Sequence, residues 1–145
     1  MNQITFHIED PPPSANTIWR TYKGRTVKSA EYQAWLVKAG WEVKAQAKGF
    51  KLPDPSYWST MLYLPRSKTR CDVDNMAKGA HDLLKTLGIV PDDRFLVHTS
   101  SVYYTGDKFR IDITHERLED WLPIMNPSRD VEKRLRAAGG GNDQS

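Results

Sequence analysis

The chain has 145 residues, one cysteine and 39% hydrophobic residues, which suits a single domain with a core of its own and no disulfide staples. Its formal net charge is +3 and its pI is about 9.0, a balance suited to a polyanionic partner. No apolar run approaches the roughly 20 residues that span a bilayer. The N-terminus, Met1 to Thr5, lacks the basic start and apolar stretch of a signal peptide. With the lone Cys71, this predicts a cytoplasmic protein with no membrane partner.

Residues 3–9 alternate polar and apolar, with Ile4, Phe6 and Ile8 on one side. The pattern predicts a half-buried strand, ended by Pro11-Pro12-Pro13. Ser14-Ala15-Asn16 leads into an expected loop carrying Trp19, Arg20 and Tyr22. Aromatics mixed with cations can stack on bases and neutralise phosphates; on a plainer reading Trp19 fills the edge of the core. Lys23-Gly24-Arg25 is a turn signal and Thr26–Lys28 a short strand. Ser29 is a good N-cap for a helix over about 30–48, with Tyr32, Trp35, Leu36, Ala39 and Val43 inward and Gly49 beyond its end.

Residues 57–64 are rich in strand formers. Arg66 to Arg70 then forms an exposed basic connection. An amphipathic helix is expected from Asn75 to Leu87, with Met76, Ala80, Leu83, Leu84 and Leu87 inside and Lys78, His81, Asp82 and Lys85 outside. Gly88 ends it. Phe95 to Tyr104 reads as a strand, Thr105-Gly106-Asp107 as a hairpin turn, and Phe109, Ile111 and Ile113 as the returning strand. Asn126-Pro127-Ser128 caps a short charged helix, and the Gly-rich end is expected to be disordered. The order predicts an α+β fold, a mixed, mostly antiparallel sheet with helices packed on it. The domain covers 1–125, and 126–145 holds the charged helix and tail.

The chemistry concentrates in Cys71-Asp72-Val73-Asp74-Asn75-Met76-Ala77-Lys78, preceded by Arg66, Lys68 and Arg70 and followed by Asp92-Asp93. Carboxylates within a basic surround suit a hard cation held against a phosphate, Mg²⁺ or Mn²⁺. On a helix, residues i and i+2 point about 200° apart. Asp72 is therefore expected to precede the helix and Asp74 to stand at its start, facing the positive helix end. Lys78 then follows one turn along. For Asp93 to join them, six residues must retrace a helix roughly 20 Å long; the alternative is an acid from a second subunit. Either aspartate pair alone also reads as a cap or turn former. A calcium loop fails, because Ala77 replaces its glycine and Leu83 its bidentate acid. Cys71 has no partner at zinc spacing. A phosphatase motif would need a buried apolar strand before it, where this chain has Lys68, Thr69 and Arg70.

These residues carry a resemblance. Pro11-Pro12-Pro13-Ser14-Ala15-Asn16, then Gly24-Arg25-Thr26 with Ser29-Ala30-Glu31, then Arg70 to Lys78, and Gly88 followed by Asp92-Asp93, resemble the RusA family of Holliday-junction resolvases of bacteria and their phages. The likeness runs from about residue 4 to 115. It implies Asp72, Asp74 and Asp93 as Mg²⁺ ligands and catalytic residues, with Lys78 as the functional lysine. It implies a homodimer acting on four-way junctions and other branched DNA, with no nucleotide cofactor. DNA-contact candidates are Asn16, Arg20, Lys23, Arg25, Lys28, Arg66, Lys68 and Arg70. A general branched or flap nuclease of phage origin stays open, as does a non-catalytic DNA-binding factor; the latter has no need of three carboxylates that repel DNA.

Overall fold

The alternation of residues 3–9 forms a strand over Gln3–Ile8 (β1), with Phe6 and Ile8 buried. Pro11, Pro12 and Pro13, which end it, are buried as well. The computed structural model describes residues 2–14, 18–68 and 73–121, apart from the side chains of Arg20 and Leu118. Asn16, Arg70, Cys71 and Asp72, and all that was predicted for 126–145, lie outside the described residues.

Trp19–Tyr22 (β2) is a strand where a loop was expected, and it pairs antiparallel with Arg25–Lys28 (β3). Trp, Thr and Tyr favour strands, and that propensity outweighed the loop-like mix of cations. Lys23 and Gly24 turn the chain with φ of 49° and 74°, the left-handed pair a two-residue hairpin requires. Ser29 caps Ala30–Ala47 (α1) as expected, its side chain accepting from the Tyr32 backbone N–H at 3.1 Å. Tyr32, Trp35, Ala39 and Val43 are buried, and the helix closes through left-handed Lys48 and Gly49.

The remaining elements are Tyr57–Pro65 (β4), Ala77–Thr86 (α2), Leu96–Tyr104 (β5) and Phe109–Glu116 (β6). The sheet order is β1-β6-β4-β5. β1 runs antiparallel to β6, from Gln3↔Thr114 to Ile8↔Phe109. β4 and β5 run parallel, so the sheet is mixed and the fold α+β. The expected hairpin across Thr105-Gly106-Asp107 does not form, because β4 lies between β5 and β6. Trp58, Leu62 and Leu64 of β4 are wholly buried, whereas no residue of β5 is. The more apolar strand takes the centre and the more polar one the edge. The inner residues of β1, β4 and β6 share one core with Tyr32, Ala39 and Val43 of α1 and with Ala80, Leu83 and Leu84 of α2.

Met1–His115 forms one compact unit and Glu116–Ser145 a second. In the second, Leu118–Trp121 (α3) is a short helix, and Trp121 Nε1 donates to Glu116 Oε1 at 2.8 Å. Among the described residues, no helix is long and apolar enough to cross a membrane.

Candidate active site

Helix α2 carries the site, and Gly79 sets where it lies. A Cβ there would stand 2.7 Å from Pro12 Cβ, so the helix packs directly on the proline segment after β1. Only glycine permits that approach. At the other end Gly88, with φ of 72°, releases the chain, and Leu52 N–H donates to Ile89 O at 2.8 Å.

The helix begins at Ala77, two residues later than expected; Met76 stands at its N-cap with no side-chain hydrogen bond. Asp74 is exposed in the turn ahead of it, not at the first helical residue. Helical spacing therefore does not stack Lys78 on Asp74. Lys78 Nζ instead lies 3.6 Å from Asp82 Oδ1, one turn further on.

Asp82 is the residue the sequence reading missed. Expected on the outer face, its side chain is only 13% exposed. Oδ2 accepts from the Tyr32 hydroxyl at 2.7 Å, and Oδ1 lies 3.7 Å from Lys85 Nζ. Lys85 Nζ in turn lies 2.9 Å from Asp93 Oδ2. A continuous run, Lys78–Asp82–Lys85–Asp93, thus ties the helix to the later acidic pair. The signal was present: Asp82 has a lysine four residues before it and another three after.

Asp93 reaches α2 of its own chain, since the segment after Gly88 bends back through Ile89 and Val90 into a short turn over Asp93–Phe95. Asp92 caps that turn, its carboxylate accepting from Arg94 N–H at 3.2 Å. Its carbonyl accepts from Trp58 Nε1 at 3.3 Å. Asp92 is thus a turn former, the plainer of the two readings open to its pair. The Lys85 hydrogen bond holds the Asp93 carboxyl below the usual carboxylate range, and the same bond raises Lys85. Burial, then the bond to Asp82, raises the Tyr32 hydroxyl.

His81 is not on the helix surface, as expected, but buried. It falls between Ala77 and Leu84 on the inward stripe. Its Nε2 pairs with Thr60 Oγ1 at 2.8 Å, and Thr60 with Thr99 Oγ1 at 2.8 Å. Its ring stands edge-on to Trp58 with centroids 5.4 Å apart. Burial lowers its pKa to about 4, so it is neutral at pH 7.

The candidate DNA contacts divide. Lys23 and Arg25 are exposed at the tip of the β2–β3 hairpin, with Lys23 Nζ 5.4 Å from the Tyr22 ring centroid. Lys28 Nζ lies 5.8 Å from the Tyr32 centroid. Arg66 is exposed, its guanidinium 5.0 Å from the Tyr103 centroid. Lys68 is engaged, donating to the Glu9 carbonyl at 2.6 Å and lying 3.8 Å from its carboxylate. Among the described residues, no three His, Cys, Asp or Glu groups could hold a metal ion; Asp72, the third carboxylate of the expected set, lies outside them.

A model of the endodeoxyribonuclease RusA family matches residues 9–116. The chain belongs to the RusA family. The crossover junction endodeoxyribonuclease RusA of Aquifex aeolicus is 30% identical over 102 residues, which cover 68% of this chain and 80% of that protein. The proteins of the same name from Enterobacteria phage 82 and Escherichia coli K12 are each 34% identical over 94 residues, covering 64% of this chain and 78% of theirs. The RusA match takes in the buried proline segment, the β2–β3 hairpin, α2 and Asp92-Asp93.

Proposed function

We propose that this endodeoxyribonuclease resolves four-way DNA junctions, as a homodimer that places paired symmetric nicks with Mg²⁺, or Mn²⁺ in its place. The observation that carries the reading is the Lys85–Asp93 pair at 2.9 Å. It brings the Asp93 side chain against Lys85 of the helix that also bears Lys78, in a chain of a family of DNA endonucleases.

The donor chemistry of the acidic residues suits a hard cation. Asp74 and Asp93 both offer exposed carboxylate oxygens, the donors such ions take. The imidazole of His81 is turned to Thr60 and does not compete. Asp72, Asp74 and Asp93 would hold the ion. When bound, it polarises the scissile phosphate and lowers the pKa of a water molecule. Hydrolysis of the P–O3′ bond would then give a 5′-phosphate and a 3′-hydroxyl, the water's oxygen going to phosphorus and its proton to O3′. The Lys78 side chain, 51% exposed, donates to a phosphate oxygen as charge develops there.

Asn16, Arg20, Lys23, Arg25, Lys28, Arg66 and Arg70 supply the phosphate contacts that position a branched substrate, and Lys68, held on Glu9, supports the segment that carries Arg66. A four-way junction has two equivalent scissile strands, and a two-fold dimer presents two acidic clusters to match them. Exposed Trp41 and Val37 on α1 offer apolar surface for such contacts. The cytoplasm of a bacterium, with a phage or prophage gene as the source, accords with this role.

The test is cleavage of a labelled four-way junction with Mg²⁺, beside duplex, flap and single-strand controls. Paired nicks confined to the junction are expected. Equal cutting of flap or duplex would replace the junction reading with a general nuclease, and no cutting would leave a binding factor.

A further inference from the structure

We propose that Lys85 is the resting counterion of Asp93: its ammonium neutralises the carboxylate that a divalent cation would otherwise neutralise, and so sets the cation concentration at which the site loads. The inference rests on the reading of Asp93 as a metal ligand.

Three observations carry it. The contact is a direct one, Lys85 Nζ to Asp93 Oδ2 at 2.9 Å. An ion approaching Asp93 meets that ammonium, whose like charge opposes its entry and already neutralises the carboxylate. Second, the displaced ammonium has a place to go. Asp82 Oδ1 is 3.7 Å from the same Nζ, and Asp82 is fixed from beneath by the Tyr32 hydroxyl at 2.7 Å. Lys85 therefore moves between two anions on a short tether and does not leave the site. Third, the two carboxylates differ in depth. The Asp82 side chain is 13% exposed and that of Asp93 51%. The outer anion is the one open to an incoming ion; the inner one holds the lysine. Without Lys85, the resting site would face DNA with an uncompensated charge on Asp93, which repels phosphate.

Two signs follow that a merely structural role would not produce together. Removing the ammonium should tighten cation binding, since a competitor is gone. It should also weaken cation-free binding of DNA, since the site becomes more negative. The experiment is calorimetric titration of the full-length, DNA-free protein with Mn²⁺, for wild type, Lys85→Met, Lys85→Arg and Asp93→Asn. Circular dichroism confirms the fold of each. Lys85→Met should bind Mn²⁺ about two- to fivefold more tightly, the range for a partly exposed ion pair. Lys85→Arg should keep the wild-type affinity. In EDTA, Lys85→Met should bind a four-way junction more weakly than wild type. Unchanged or weaker Mn²⁺ binding by folded Lys85→Met, while Asp93→Asn loses it, would overturn the counterion role alone. Full Mn²⁺ affinity in Asp93→Asn would overturn the ligand reading beneath it.

Discussion

Tyr32 of α1 donates its hydroxyl to Asp82 of α2 at 2.7 Å, beneath the two lysines that flank Asp82. The bond crosses the helix pair, so the packing of α1 and the charge arrangement of the site are one structure. Tyr32→Phe removes it while keeping the ring. Urea unfolding should show a loss of about 1 kcal/mol, the usual net worth of such a bond. An unchanged midpoint would mean that the lysines alone hold Asp82.

Asp74→Asn should abolish nicking with Mg²⁺. Junction binding in EDTA should stay the same or tighten, because one repelling charge is lost. Gel-shift and cleavage assays on the same junction separate the two effects; undiminished cleavage would remove Asp74 from the metal set.

Gly79→Ala should push α2 off the proline segment. The new methyl would meet Pro12 Cβ at 2.7 Å, and a proline ring cannot swing aside. The expected cost is about 1–3 kcal/mol, the range for overpacking, offset in part by the better helix propensity of alanine. A thermal melt at or above that of wild type would show that the two segments separate freely.

His81 should make the protein acid-sensitive between its unfolded and folded pKa values. Burial lowers the folded value from 6.5 to about 4, so as pH falls below 6.5 the unfolded chain takes up a proton that the folded one refuses. Stability is therefore whole above pH 6.5, declines down to about pH 4, and gains no further loss from this group below that. The total is on the order of 3 kcal/mol. His81→Leu should flatten this limb in urea titrations at stepped pH, leaving only the carboxylate losses at lower pH. Parallel curves for the two proteins would place the proton elsewhere.

Arg66 and Lys68 should behave differently despite their shared charge. Arg66→Ala should reduce the slope of log affinity against log salt by about 0.9 if it meets one phosphate. Lys68→Ala should act mainly on stability, because Lys68 holds Glu9. Equal salt slopes for both variants and wild type would move the DNA path away from this segment.

Much of the fold was legible because single residues dictated it. Ser29 marked a helix start, Gly88 a helix end, and the alternation around Phe6 and Ile111 two strands. What was not legible was pairing. Nothing local in Thr105-Gly106-Asp107 reports that β4 will come between the strands it joins; that follows from the deeper burial of Trp58, Leu62 and Leu64. In the site, the Asp-x-Asp motif and Asp93 stood out as acids in a basic surround. Asp82 did not, because a carboxylate between lysines on a helix reads as solvated surface. Its role emerges only once Tyr32 arrives from another helix. His81 was misplaced for the same reason, since polarity was weighed above its position on the inward stripe.

The pairing of Gln3–Ile8 with Phe109–Glu116 has a consequence for synthesis on the ribosome. The strand Gln3–Ile8 is completed by a strand made about a hundred residues later, and His115 N–H closes onto Asn2 O at 2.7 Å. No emerging fragment can finish the sheet, and closing so long a loop becomes favourable only after the intervening apolar segments have collapsed. A ribosome stalled before Phe109 would hold a chain whose first strand and whose buried strand Tyr57–Pro65 both lack a neighbour. Such open edges invite pairing with other chains, so synthesis is most exposed to aggregation just before Phe109–Glu116 appears.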